Sequence, residues 1–583
     1  MMNRVLQNQK TKMMNRVLQN QKMKGCCTIF LNQRVESACR LAPLFFGRRH
    51  HYASTSSAWQ NSNGVHQSQW KNRGQQPRKQ TIDKISSSKK KSKEATPKQQ
   101  HVTYTKPKSQ QFQAPFSAFI SCLPGLEPLL LKEVEYLHSH WSSNNDHTAS
   151  KLGKGQPYIL RGGVKLTVPS LHHLHILHLY VGTASHIYLR LNDDNVEGLP
   201  PLFRARGFPE LQRKVKDLII SQRWDEWLTG HNGGKEKSLV NVQVHVTTSK
   251  SKLMHTKAIE ERVKQTIGEL IPNIASDSNE SDEATTKTVR LMTRIDRDVV
   301  QLSLDTSLTP LHRRGYRLKP HRAPLREDLA YALLMSGGLM PCWDLRSQFA
   351  IKSDESFAAV DSPLPSSRGT NRVLFDPFCG SGTIAIEGAS LQLGLPPGRF
   401  HPPPMEGTSF CNPALWEEMK SKAMMSVSRA KQDDDLVCVA AGDIDPKALD
   451  AAKANAKRAG VDDCIDFIKG SFVSHPLLKQ QSKDGKKTNV LDDATQQPLL
   501  VVANPPYGKR LSPDETKSTI YRKLANALLS SSSSRSVDCA IMGKDLRIMR
   551  EAGMPLDVAF STKHGGLNVV AMAGSLPKPK DIS

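Results

Sequence analysis

Apolar residues recur along this chain in two distinct patterns, and both begin only after about residue 112. Between 113 and 322 the elements are short and mixed. FSAFISCLPGLEPLLLKEVEYL predicts a strand, a turn at Pro124-Gly125 and a helix whose apolar positions Leu126, Leu129, Leu130, Val134 and Leu137 share one face. YILRGGVKLTV (158–168) predicts a hairpin about Gly162-Gly163. SLHHLHILHLYVGTASHIYLRL predicts a helix then a strand. SLVNVQVHVTTSKSKL predicts a strand with Val240, Val242, Val244 and Val246 on one face, and AIEERVKQTIGEL an amphipathic helix. VRLMTRIDRDVVQLSLDTS predicts two strands about an Asp296-Arg297-Asp298 turn. The polar stretches 140–156, 229–237 and 276–287 are expected to be surface loops.

From Ala323 the pattern changes. APLREDLAYALLMSGGL predicts a helix, and after it the apolar runs VLFDPF, LVCVAAGDID, CIDFIKG, LLVVANPPY, DCAIMG and LNVVAMAG alternate with helical segments. Continuous apolar strands separated by helices imply a mostly parallel sheet covered on both faces. Residues 474–498 are a polar insertion in this unit. The expected organisation is therefore a segment 1–112, an α+β region 113–322 and an α/β unit 323–583.

Charge changes the picture of the first segment. Of a formal net charge of +26 over 583 residues, residues 1–112 supply 22 Lys/Arg against three acids, Glu36, Asp83 and Glu94. MMNRVLQNQK at 1–10 recurs at 13–22, a local duplication. CCTIFLNQRVESACRLAPLFFGRRHHYAST then combines Arg, Ser and Ala with almost no acid, the composition of an organelle transit peptide. A mitochondrion or chloroplast is the expected address. The Lys89-Lys90-Lys91 tract offers nucleus or cytoplasm as the alternative. Residues 53–112 hold too few apolar side chains to fold. Ten cysteines without a CxxC pair argue against a metal site and a disulfide framework. No apolar run reaches the roughly 18 residues of a membrane span.

Three motifs in the last unit carry chemistry. Asp376-Pro377-Phe378-Cys379-Gly380-Ser381-Gly382-Thr383 follows an apolar strand and precedes the helix TIAIEGASLQ. Glycines at such a turn admit a ligand to the backbone, and the helix start offers N–H groups to an anion. Neither GxGxxG nor GxxxxGK[ST] is present. An acid at the strand end with glycines after it suits the ammonium and carboxylate of a methionine-like ligand. Gly442-Asp443-Ile444-Asp445-Pro446 closes a second strand. Asp443 is placed to accept from two ribose hydroxyls, while Asp445 is expected to cap the helix PKALDAAKANAKRAG.

Asn504-Pro505-Pro506-Tyr507 follows LLVVA. An exocyclic nucleobase amine is a poor nucleophile because its lone pair is delocalised into the ring. The Asn504 carboxamide oxygen and the Pro505 carbonyl can accept its two N–H bonds and orient the nitrogen, which is positioning plus electrostatics. Pro505 and Pro506 stiffen the loop. Tyr507 can stack on an extruded base.

With these residues in hand, the last unit resembles class I amino-methyltransferases of the (N/D)PPY kind. LHRRGYR (311–317), APLREDLAYALL (323–334), DPFCGSGTIAIEGA and NPPYGKRL together resemble the THUMP-containing family of RNA guanine-N2 methyltransferases, in particular the bacterial-type enzymes acting on large-subunit ribosomal RNA. The resemblance spans roughly 113–583. It implies a class I (Rossmann-like) domain binding S-adenosylmethionine, preceded by a ferredoxin-like plus THUMP region that binds RNA. Carried over by position, Asp376, Phe378, Gly380, Gly382 and Thr383 line the cofactor, Asp443 and Ile444 hold its ribose end, and Asn504 to Tyr507 hold the base. The family often has an acid near the adenine after the third strand. Here FIKGSF offers Gly470 and Ser471, so Ser471 or the backbone is expected there. Some bacterial relatives carry a second methyltransferase unit, whereas one is expected here.

Arg313, Arg314 and Arg317, just before the catalytic unit, are expected to bind RNA phosphates, with capping of that unit's edge as the alternative. Three readings of function remain open: guanine-N2 methylation of ribosomal RNA or tRNA; the same chemistry on adenine N6 or a glutamine; and an inactive RNA-binding assembly factor.

Overall fold

The computed structural model describes residues 115–142, 155–228, 240–271, 287–317, 324–341, 372–431, 439–478, 497–506 and 517–577, with Ile274, Trp343, Leu345 and Gln348 as single residues. Segment 1–112, expected to be a targeting segment, most of the insertion 474–498 and the bulk of the three polar stretches lie outside these residues. All described residues fall in one compact unit, Val102–Ser583.

The first half is one mixed sheet. In chain order its elements are β1 (Phe116–Ser121), α1 (Glu127–Ser142), β2 (Tyr158–Leu160), β3 (Gly163–Val168), α2 (Leu171–Tyr180), β4 (His186–Arg190), β5 (Phe203–Arg204), α3 (Phe208–Ser221), α4 (Trp224–Trp227), β6 (Val240–Ser249), α5 (Thr256–Leu270), β7 (Lys287–Asp296) and β8 (Val299–Asp305). The strands run β2-β3-β1-β4-β8-β7-β6, with β5 beside β8. β6 and β7 pair in parallel, Ser249 opposite Asp296, and the other pairs are antiparallel. The alternating valines of β6 bury Val240, Val242 and Val244. The turn between β7 and β8 falls on Arg297 and Asp298, both at positive φ. α3, with Leu211, Val215, Leu218 and Ile219 buried, and the short α4 have no counterpart in the sequence reading.

The second half is doubly wound. It comprises α6 (Glu327–Ser336), β9 (Val373–Asp376), α7 (Thr383–Gln392), α8 (Pro413–Lys431), β10 (Val439–Asp443), α9 (Pro446–Ala459), β11 (Ile465–Lys469), β12 (Leu499–Ala503), α10 (Lys517–Ser532), β13 (Val537–Gly543), α11 (Leu546–Glu551), β14 (Asp557–His564) and β15 (Leu567–Ser575). The strand order is β11-β10-β9-β12-β13-β15-β14. β9 to β13 are parallel, and β15 runs antiparallel between β13 and β14. Every residue of β9 and β12 is buried, which explains their unbroken apolar sequences. β14 was not legible because five of its eight residues are exposed and only Phe560 and Thr562 are buried.

The order places a switch point at the centre. From β9 the chain winds outward through β10 to β11, then returns to the other side of β9 as β12. Connections leave β9 and β12 in opposite directions, the arrangement at whose carboxyl edge open α/β sheets take up ligands. One buried apolar cluster includes Leu179 and Tyr180 of α2, Tyr331 and Leu334 of α6 and Ile384 of α7, so packing is continuous from the first sheet into the second.

Candidate active site

The carboxyl ends of β9, β10, β11 and β12 bring the three motifs together. Val501 of β12 lies opposite Phe375 of β9, so Asp376 and Asn504 leave neighbouring strands on either side of the switch point. Ala441 pairs with Asp376, and Lys469 pairs with Asp443. Ser471 therefore stands beside the tip of β10.

The first loop is tied down by backbone and carboxylate. The Cys379 N–H donates to the Gly442 carbonyl at 3.0 Å, and the Gly380 N–H to Asp443 Oδ2 at 2.9 Å. Asp443 Oδ1 accepts the Asp445 N–H at 2.9 Å. Both Asp443 oxygens thus hold loops, yet a carboxylate offers about four acceptor sites and each oxygen keeps one. Asp445 caps α9 as expected, accepting from the Lys447 N–H. Gly382, at φ 84, starts α7. A Cβ there would lie 3.0 Å from Ala452 Cβ of α9, so close helix packing demands glycine. A Cβ on Gly380 would meet nothing within 4 Å, which leaves its face open to a ligand.

Two of the buried oxygens that lack a hydrogen-bond partner among the described residues lie at this edge. Asp376 is fully buried; its Oδ1 accepts the Phe378 N–H at 3.3 Å, but its Oδ2 has no hydrogen-bond partner among the described residues. Burial, reinforced by Asp443, pushes its carboxyl up to about 8 against the opposing Phe378 and Ala385 N–H groups. Such a group is poised to meet a cation, which would bring its pKa back down. The second is Asn504 Oδ1, also buried and without a partner among the described residues. An unsatisfied buried acceptor is costly to keep. Two of them, from the ends of adjacent strands, mark this edge as a place where donors are to be supplied.

Apolar surface lies alongside. Ile444, directly after Asp443, is 73% exposed, unusual for an isoleucine. Phe378 packs on Phe472 with ring centroids 4.9 Å apart. Ser471 is exposed at the start of the 3-10 turn Phe472–Ser474. Pro505 is buried and Pro506 half-buried, while Tyr507 lies outside the described residues.

The linker arginines require a correction. Arg314, expected at an RNA phosphate, is 1% exposed. Its Nη1 donates to the Leu311 carbonyl at 2.7 Å, its Nη2 to the Gly182 carbonyl at 2.5 Å, and its Nε lies 3.7 Å from Glu387 Oε2. Arg317 pairs with Glu327 at 3.0 Å and donates to the Leu325 carbonyl and to Thr383 Oγ1. Both guanidiniums are consumed inside the protein; of the three, only Arg313 is exposed. The missed signal was Glu387, a lone acid in the apolar helix TIAIEGASLQ, which a buried site must pair. Replacing Arg314 by methionine is expected to destabilise the fold by about 3–5 kcal/mol, because Glu387 is left buried without its counter-charge. Denaturant unfolding measures this. A phosphate-binding arginine would instead leave stability intact and weaken RNA binding in a salt-dependent way.

Residues 366–559 match the family described as RMKL-like, methyltransferase domain. The matched part of the chain carries all three motif loops. The ribosomal RNA large subunit methyltransferase K/L of Marinomonas sp. (strain MWYL1) is 28% identical over 407 residues, 70% of this chain and 45% of that protein. The K/L enzyme of Syntrophotalea carbinolica is 27% identical over 416 residues, 71% of this chain and 47% of that protein. The chain thus spans about half the length of these curated relatives. Among solved structures, one described as a possible methylase from Clostridium difficile 630 shares the fold, with a TM-score of 0.56 and 21% identity over 80% of this chain and 99% of that one. The methyltransferase domain has the class I α/β architecture anticipated from its motifs.

Proposed function

We propose that this protein uses S-adenosylmethionine to methylate the exocyclic N2 amine of a guanine in RNA, with large-subunit ribosomal RNA as the substrate. The observation that carries this reading is the pair of buried oxygens, Asp376 Oδ2 and Asn504 Oδ1, that have no hydrogen-bond partner among the described residues and lie at the ends of adjacent parallel strands. The residues fit the cofactor. Asp376 supplies a buried anion for its ammonium, Gly380 and Gly382 a bare backbone, Thr383 the start of a helix for its carboxylate, and Asp443 spare acceptor sites for its ribose. Ile444 and Phe378 offer apolar surface for the adenine, with Ser471 as a polar contact at its edge. When bound, S-adenosylmethionine supplies the methyl group.

Asn504 Oδ1 and the Pro505 carbonyl accept the two N–H bonds of the target amine, orienting its nitrogen and favouring tetrahedral geometry. Tyr507 stacks on the base. The methylated amine's proton is acidic and leaves to water, so no side-chain base is required. Named relatives that act on large-subunit ribosomal RNA support the choice of substrate. In this reading the first sheet is a THUMP-type RNA-binding region, with Arg313 at its exposed junction. The basic segment 1–112 delivers the chain to a mitochondrion or chloroplast.

Nucleoside mass spectrometry of organellar RNA after loss of the protein tests the proposal. One N2-methylguanosine should disappear from large-subunit ribosomal RNA. Loss of N6-methyladenosine would instead favour the adenine reading, and an unchanged profile would refute enzymatic action on this RNA.

A further inference from the structure

The glycine loop at the sheet's carboxyl edge cannot hold its own shape. Ser381 sits between Gly380 at φ 53 and Gly382 at φ 84, so two of three consecutive residues lack the Cβ that would restrict them. Its conformation must be imposed from outside. The Ser381 carbonyl is held by Asn455 Nδ2 at 3.0 Å, and Asn455 is fully buried on α9. Asn455 is in turn oriented by Arg458, whose Nη2 donates to Asn455 Oδ1. Arg458 Nε donates to the main-chain carbonyl of Tyr316 at 2.7 Å. The Tyr316 hydroxyl donates to Glu387 Oε1 at 2.8 Å, on the helix that the loop starts. Glu387 faces Arg314, whose guanidinium reaches the Gly182 carbonyl in the first half of the chain.

We infer that Asn455 and Arg458 are positioning residues for the cofactor loop, and that the 311–317 linker sets that loop through them. Neither side chain need touch the cofactor. Asn455 fixes the Ser381–Gly382 peptide plane, whose N–H donates to the Cys379 carbonyl at 2.8 Å. That closes the loop into the turn that leaves Gly380 open. Arg458 keeps the Asn455 amide in the orientation that presents Nδ2 rather than Oδ1 to Ser381. Its second bond, to Tyr316, ties this orientation to the linker. A parallel tie runs from Arg317 to Thr383 Oγ1 at 3.2 Å. The loop is thus gripped from the linker at both Ser381 and Thr383.

The inference rests on the cofactor assignment above, and the test separates the two. S-adenosylmethionine affinity is measured first on the full-length parent by calorimetry; no binding there sinks the functional proposal itself. Asn455→Asp keeps an acceptor for Arg458 but turns an acceptor toward the Ser381 carbonyl. Arg458→Lys keeps the charge but, as a point donor, cannot serve Asn455 and Tyr316 with the same fork geometry. The expected result is cofactor affinity reduced about tenfold in Asn455→Asp and about three- to fivefold in Arg458→Lys, each on the scale of one hydrogen bond. KM for RNA should stay unchanged, kcat at saturating cofactor should stay within about twofold, and amide exchange at 380–383 should quicken in both. If the folded variants bind the cofactor as the parent does, the inference is overturned. Should Asn455→Asp fail to fold, Arg458→Lys decides alone, and parental affinity in it overturns the inference equally.

Discussion

Asn504→Ala is expected to lower kcat by about 10²–10³, the scale observed when one preorganised hydrogen-bonding group aimed at the reacting centre is removed. Cofactor affinity should change less than about twofold, because nothing in the assignment gives Asn504 a cofactor contact. The cause lies in the buried Asn504 Oδ1, which has no partner among the described residues. Under the proposed function, the target amine without it keeps its lone pair in the ring and has only one acceptor, the Pro505 carbonyl, to orient it. Asn504→Asp retains acceptor oxygens in the same place and should lose far less, about tenfold. Single-turnover transfer from labelled S-adenosylmethionine, alongside calorimetric binding, reads both. Parallel loss of binding and turnover in Asn504→Ala would reassign the residue to the cofactor.

Asp376→Asn should have opposite effects on stability and binding. Under the proposed cofactor assignment, removing the Asp376 charge from the ammonium is expected to weaken cofactor binding about 10- to 100-fold, the range for a charge-assisted hydrogen bond. The cofactor-free protein should nevertheless become more stable. Burial raises the carboxyl from 3.8 to about 8. A carboxyl whose folded pKa lies above its unfolded value opposes folding increasingly as pH rises between the two. The asparagine carries no such penalty. The stability gain of Asp376→Asn should therefore be absent near pH 4, widen as pH rises to about 8, and level off above it. Thermal unfolding at several pH values measures it. In the parent, cofactor binding near pH 7 should release protons as Asp376 ionises against its new partner, visible as a buffer-dependent binding enthalpy. A pH-independent difference in stability would show that Asp376 is not the group that titrates.

Much of the site was legible because its chemistry is local. An acid at a strand end, glycines at the next turn and a rigid Asn-Pro-Pro loop each sit within a few residues, and period and length place them at strand termini. Asp445 as a helix cap and Arg297-Asp298 as a hairpin turn were legible for the same reason. The half-exposed β14 leaves no apolar period to read, whereas α3 does carry one, Leu211, Val215, Leu218 and Ile219 at helical spacing, that the sequence reading passed over. The arginines of LHRRGYR misled for a different reason. Basic residues in a linker look solvated until a distant acid is folded against them, and Glu387 lies 73 residues after Arg314.

The sequence by itself determined the strand-and-helix rhythm, the doubly wound class and the three motif loops, since these follow from apolar period, glycine placement and residue type within short windows. Only the tertiary structure decided which charges are buried and which face solvent. It alone set Asp443 to bind Gly380, left Asp376 and Asn504 each with an oxygen unpartnered among the described residues, and enclosed Arg314 against Glu387. Burial and hydrogen-bond satisfaction depend on segments far apart in the chain, and no local pattern encodes which of them will meet.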